Sequence, residues 1–173
     1  MKRLKFLKKE DMNAEQLDVY KKIIFGPRGK FGGPFPALLK IPKIADLIQE
    51  LGSWLRFNSK LPAKLREIVI LNAAHEWRCY IEWEAHEKIA KDEGISENFI
   101  ESIKNTTIPE NSSKEELTTL LFCRELQKNK FISNKTFLST NKVFTIEIIL
   151  ELTVILGYYT MLSMILNVFE ESN

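Results

Sequence analysis

The segment "RCYIEWEAHEK", residues 78–88, puts a thiol, a carboxylate and an imidazole close together with aromatics between them. On an α-helix turning about 100° per residue, Cys79, Glu82 and His86 share an arc of roughly 60°. Glu84, Lys88 and Lys91 point roughly the other way, as a solvated face would. A cysteine becomes a nucleophile when something such as an imidazolium stabilises its thiolate. His86 lies two turns along the same side, and His75 one turn before if the helix is continuous. Otherwise Cys79 is a small buried hydrophobe. A dithiol motif would need a second cysteine three residues on, and that position holds Glu82. Glu82 and His86, four apart, are one turn from each other. A carboxylate beside an imidazole orients it and suits the pair to proton transfer, although a surface pair or a core histidine has the same spacing.

Other charges extend this set. Glu67 stands in "LREIVIL" among Ile68, Val69, Ile70 and Leu71, so facing inward it needs a partner or a function. Arg66, Arg56 in "SWLRFN" and Arg28 in "GPRGKFGG" are candidate anion clamps, because the guanidinium fork matches a planar carboxylate. Each would equally serve as a surface arginine.

The elements that must position these groups read as helices. Asn13 with Gln16 forms a capping pair ahead of "AEQLDVYKKIIF". "GPRGKFGGPFP", 26–36, with four Gly and three Pro, is a loop. It lacks the Gly-Lys-Ser/Thr ending of a phosphate cradle. Pro42 opens a helix running to about Phe57, and Pro62 suits the first turn of "AKLREIVILNAAH". No breaker separates that run from "RCYIEWEAHEKIAKDE", so periodicity alone allows one long helix or two. Gly94 supplies a stop. "SENFIESIKN" is a short helix, Ser113 and Glu116 form a capping box for "KEELTTLLFCRELQKN", and "SNKTFLSTNKVF" is a short helix and turn. A long helix follows Thr145. No strand or repeat is visible, and the expected class is all-α, six to eight helices in a single domain over 1–173.

Composition sets outer bounds. Of 173 residues 45% are hydrophobic and 28% charged, as in a soluble globular protein. A net charge of +2 argues against a nucleic-acid binder. The basic start "MKRLKFLKKEDM" has no apolar run after it, so no export is expected and a cytoplasmic location is. Cys79 and Cys123 make no metal-ligand pattern and fit a reducing compartment. Residues 152–169, "LTVILGYYTMLSMILNVF", hold 18 positions without a charge. By length this could span a membrane. Gly157, Thr160, Ser163 and Asn167 interrupt it, Glu170 and Glu171 follow at once, and no positive-inside signature flanks it. A core or subunit-contact helix is the expectation, with no membrane partner.

"LPAKLREIVILNAAHEWRCYIEWEAHEKIAKDEGIS", residues 61–96, resembles the core motif of the carboxymuconolactone decarboxylase family, which includes the alkylhydroperoxidase-D-like proteins. "GPFPALLKIPKIADLIQELGSWLRF" looks like the segment before that core in decarboxylase-type members, and "ELTVILGYYTMLSMILNVF" like their last helix. The resemblance implies a compact helical fold, a break near residues 75–78, and assembly into trimers or hexamers. It also implies that the Cys, Glu and His stripe lines an active site. The thiol-peroxidase branch has a Glu, a CxxC pair and a His, which map to Glu67, Cys79 with Glu82 in the second cysteine's place, and His86. Without the resolving thiol, the branch lacking the CxxC pair is implied. His86 would then donate a proton, oriented by Glu82 or Glu67. Arg56 or Arg28 would hold a small carboxylated lactone, and Trp83 would form an apolar wall. No metal or cofactor is called for. The alternatives are a thiol-dependent peroxidase working through Cys79 and a non-catalytic binding or assembly member.

Overall fold

The computed structural model describes residues 3–4 and 7–169. Most of the basic start at residues 1–6, and Glu170 and Glu171 after the apolar run, lie outside the described residues. A single 3₁₀ turn, Lys9–Asp11, precedes nine α-helices among the described residues: α1 (Ala14–Phe25), α2 (Phe35–Leu38), α3 (Pro42–Phe57), α4 (Ala63–Glu76), α5 (Tyr80–Asp92), α6 (Glu97–Lys104), α7 (Lys114–Asn129), α8 (Asn134–Asn141) and α9 (Ile146–Phe169). No strand occurs among them. The number exceeds the expected six to eight because the proline-rich loop ends in a four-residue helical turn, α2, with prolines at its start. Pro62 is the residue before α4, not its first helical residue.

Local chemistry sets most of the helix ends. Asn13 and Gln16 exchange side-chain and backbone bonds at the start of α1, and Ser113 and Glu116 do so at α7. The side chains of Ser96 and Ser133 cap α6 and α8. Pro42 stands at the start of α3.

The chain divides into two compact units. The first comprises Met1–Ser59 with Met164–Asn173, the second Lys60–Ser163. In the first, α1, α2 and α3 close over Val19, Ile23, Phe35, Leu39 and Ala45. Lys22 bridges α1 to Asp46 of α3 at 2.7 Å.

In the second unit α4 is the central helix, packing on α5, α6 and α7. Every residue from Glu67 to Ala74 is buried, so this helix has no solvated face in its middle. Lys64 of α4 reaches Glu116 of α7 at 2.5 Å. Helix α9 is long and apolar enough to cross a membrane by length and composition, but 44% of that window is buried inside the protein. Its buried side includes Leu152, Ile155, Tyr159 and Leu162, and Glu151 accepts the Leu61 N–H at 3.1 Å. Its other side exposes Ile146, Leu150, Val154, Met164 and Val168.

Candidate functional site

The path from α4 to α5 decides where the chemistry-bearing residues go. Trp77 ends α4, and Arg78 takes a left-handed conformation with φ 48°. The Arg78 N–H donates to the His75 carbonyl at 3.0 Å and the Cys79 N–H to the Ala74 carbonyl at 2.8 Å. The chain therefore turns sharply, and α5 starts at Tyr80 with Cys79 just before it, φ −88° and ψ 91°. The break falls where the resemblance implied. It removes Cys79 from the helical stripe, so the angular reading holds for Glu82 and His86 only, and His75 belongs to a different helix.

Glu82, Trp83, His86 and Ala90 form the buried face of α5. There His86 meets Glu67 of α4. The Glu67 carboxylate Oε2 lies 2.6 Å from His86 Nδ1, with both side chains less than a tenth exposed. Glu82 Oε2 stands 3.4 Å from the other ring nitrogen, Nε2. The imidazole is thus flanked on both edges by carboxylates, and Glu67 is the closer of the two. At 2.6 Å the Glu67 contact is a short charge-assisted hydrogen bond, which fixes the ring orientation. The edge of one ring meets the face of the other between His86 and Tyr159, centroids 5.1 Å apart, and Tyr158 packs on Tyr159 in the same manner at 5.3 Å. Both tyrosines are buried. Sequence reasoning missed Tyr159; its signal was the pair "YY" in an uncharged helix where aliphatic residues would have packed more simply.

Cys79 is 2% exposed. Burial pushes its thiol above the ordinary range, with the Glu82 carboxylate acting in the same direction and the Glu82 and Ile81 N–H groups against it. Cys123 of α7 is fully enclosed, and burial pushes it up to about 12. Both cysteines are free and buried. Neither environment favours a thiolate at neutral pH.

Trp83 turns to an open cleft of about 830 Å³ at the α4–α5 elbow, together with His75, Arg78, Cys79, Lys104 and Thr106. Its indole N–H donates to Glu87 Oε2 at 2.7 Å. Glu67, Glu82 and His86 do not line this cleft. Arg28 and Arg56 belong to the first unit, where they lie over the rings of Phe35 and Phe57 at 4.9 and 5.6 Å. Arg66 on α4 is half-buried. Among the described residues, no group of three or more His, Cys, Asp or Glu side chains is arranged to hold a metal ion.

Fold and buried cluster together define an all-helical domain with an imidazole held between carboxylates on adjacent helices. Residues 42–115 match the sequence model of the Carboxymuconolactone decarboxylase family. Among solved structures, a protein of unknown function from Agrobacterium tumefaciens, described as a candidate AhpD antioxidant defence protein, superposes with TM-score 0.69 at 18% identity, covering 78% of this chain and 92% of that one. The debrominase Bmp8 in its apo form superposes with TM-score 0.76 at 13% identity, covering 96% and 89%. At these identities the likeness establishes the fold. No curated protein sequence matches the chain.

Proposed function

We propose that the protein is a decarboxylase-like enzyme of this family, working by acid–base chemistry on a small carboxylated lactone or a related product of aromatic degradation. One observation carries the reading: His86 is held at Nδ1 by Glu67 at 2.6 Å and faced at Nε2 by Glu82 at 3.4 Å. Decarboxylation breaks the bond between a carbon and its carboxylate. The electron pair spreads into the conjugated lactone carbonyl as an extended enolate, CO₂ leaves, and one proton must be delivered to carbon. A buried imidazole with a fixed ring plane is suited to that delivery, and the neighbouring carboxylates stabilise it while it carries the proton. Water later restores the proton, so the cycle consumes one proton and releases one CO₂.

The thiol alternative has less support. Burial raises both thiols and so disfavours their thiolates, and the resolving position is Glu82. The likeness to a debrominase adds brominated compounds to those worth testing, without favouring them. The exposed apolar stripe on α9, with Ile146, Leu150 and Val154 four residues apart along one face, supports assembly into a homo-oligomer, as a trimer or a multiple of it. Light scattering that finds a stable monomer at micromolar concentration would remove that part.

The test of the activity is CO₂ release from carboxymuconolactone, with peroxide consumption measured alongside. Decarboxylation that survives Cys79→Ser and is lost in folded His86→Gln supports the proposal. Peroxide turnover that depends on Cys79, with no CO₂ released, overturns it.

A further inference from the structure

We propose that the cleft at the α4–α5 elbow is a binding site for a small planar carboxylate, anchored by the Arg78 guanidinium, with the largely buried Trp83 on its wall. The inference is independent of the acid–base reading, because Glu67, Glu82 and His86 do not line this cleft.

Three helices of the second unit end in the same cap. In each, the N–H of a left-handed residue bonds back to the carbonyl three residues earlier, and the next N–H bonds to the carbonyl five residues earlier. Helix α4 does so through Arg78 and Cys79, α5 through Gly94 and Ile95, and α6 through Thr106 and Thr107. The cap requires a positive φ, which is 48° at Arg78, 82° at Gly94 and 57° at Thr106. Glycine is the ordinary residue there because it has no Cβ to strain, and threonine is among the least suited. Gly94 follows that rule and has open space around it. The two caps that carry side chains instead both line the elbow cleft. Two other non-glycine residues are left-handed, and neither lines it. Asn111 tolerates that conformation, and the Lys130 ammonium bonds the Gln127 carbonyl.

The strain at Arg78 places a guanidinium at the cleft, and no local partner accounts for it. Among the described residues its side chain makes no hydrogen bond or ion pair. The other cation of the cleft is engaged. Lys104 contacts Glu87 at 3.5 Å and Glu101 at 3.9 Å, and lies over the Trp83 ring at 5.3 Å. The cleft, at about 830 Å³, has the size of a small-molecule site. Trp83, 9% exposed, lines the cleft with Lys104 already over its ring, His75 is edge-on to it at 6.1 Å, and the Thr106 hydroxyl lies 3.5 Å from His75 Nε2. A planar acid fits these parts: its carboxylate takes the Arg78 fork, its ring lies along the cleft wall beside Trp83, and Thr106 supplies a further donor. Glu76 and Glu84 also border the cleft but are exposed and solvated, so they set a weaker preference than the guanidinium.

The test is isothermal titration of the full chain with benzoate, benzamide and benzylamine as probes. Benzoate is expected to bind, with benzamide weaker by about tenfold or more. Arg78→Gly relieves the backbone strain, so it should keep or raise the thermal midpoint while weakening benzoate by about tenfold or more. Arg78→Asn, which also accepts the left-handed conformation, should do the same if the glycine variant folds poorly. His86→Gln should leave benzoate binding unchanged, which separates this proposal from the catalytic one. Absence of benzoate binding, equal binding of benzamide, a preference for benzylamine, or an unchanged Kd in a folded Arg78 variant would each overturn it.

Discussion

The interior of the second unit and its elbow cleft share the chain's two histidines and two cysteines, one of each per region. In the interior, His86 is locked to Glu67 at 2.6 Å and Cys123 is wholly enclosed. At the cleft, His75 is half-buried, with a 3.5 Å contact to Thr106 and the Trp83 ring at 6.1 Å, and Cys79 is among the lining residues although 2% exposed. The same helix pair, α4 and α5, builds both regions. Along their length the helices bury ionisable groups, which persist there only when paired. At the elbow, the left-handed Arg78 turns the chain and leaves charged groups able to meet a ligand. Pairing therefore marks the interior and availability the cleft, although the residue types are the same.

The largest expected effect tests whether only the interior histidine serves the reaction. His86→Gln should lower turnover of carboxymuconolactone by about 10²–10⁴-fold, the usual range for removing a general acid or base. His75→Gln should change it by less than about threefold, within the cost of a surface substitution. Measuring turnover per folded molecule in both variants checks the pair. Equal losses would erase the distinction between the regions.

A smaller effect concerns pairing. Glu67→Leu removes the acceptor at His86 Nδ1 and leaves a buried N–H without its partner. The expected cost is about 1–3 kcal/mol in a denaturant melt. Glu84→Leu, at an exposed position bordering the cleft, should cost less than about 0.5 kcal/mol. A Glu67 variant as stable as the parent would mean that the interior pair is not coupled to folding.

How much of this was legible follows from the range of each interaction. The capping boxes at Asn13 and Ser113, the stop at Gly94 and the Pro42 start could be read directly, because their bonds span a few residues. The Glu82 and His86 pairing was also local, one helical turn. The elbow was not readable from the residues themselves. Its turn is made by an arginine in a conformation normally assigned to glycine or asparagine, and only the family resemblance pointed to a break there. The choice of Glu67 over Glu82 as the closer partner of His86 depends on how α4 and α5 pack, which no spacing within one helix encodes. Tyr159 reaches His86 from α9 for the same reason. The elbow cleft is likewise a product of helix packing, which brings α6 residues beside Arg78.

The thiols give a pH test of the same contrast. Burial holds the Cys123 pKa up at about 12, against an ordinary value of 9.0. A raised folded-state value means that the stabilisation is fully present below the unfolded value and is lost as pH rises from about 9 towards 12. Cys123→Val removes the titration. Relative to that variant, the parent should lose up to about 1.4 kcal/mol per pH unit above pH 9. Denaturant midpoints at pH 8, 9 and 10 would show it. Parallel pH curves would mean that water reaches the Cys123 sulfur.

The smallest expected effect concerns His75 and the cation beside it. Burial lowers its pKa, Glu76 opposes that shift, and Arg124 and Arg78 add to it. A depressed value means that His75 contributes stability above its unfolded pKa and loses it as pH falls through the folded one. Arg78→Gln removes one of the two neighbouring cations. The His75 resonance followed by proton NMR should then titrate at higher pH, and the acid-side loss of stability attributable to this residue should shrink. The shift should be larger at low ionic strength, because His75 is only half-buried and salt screens such a contact. Benzoate bound at Arg78 should move the resonance in the same direction, because the carboxylate neutralises the guanidinium in place. If the resonance moves with neither the substitution nor the ligand, the Arg78 charge does not reach His75, and the two residues do not share one cleft in solution.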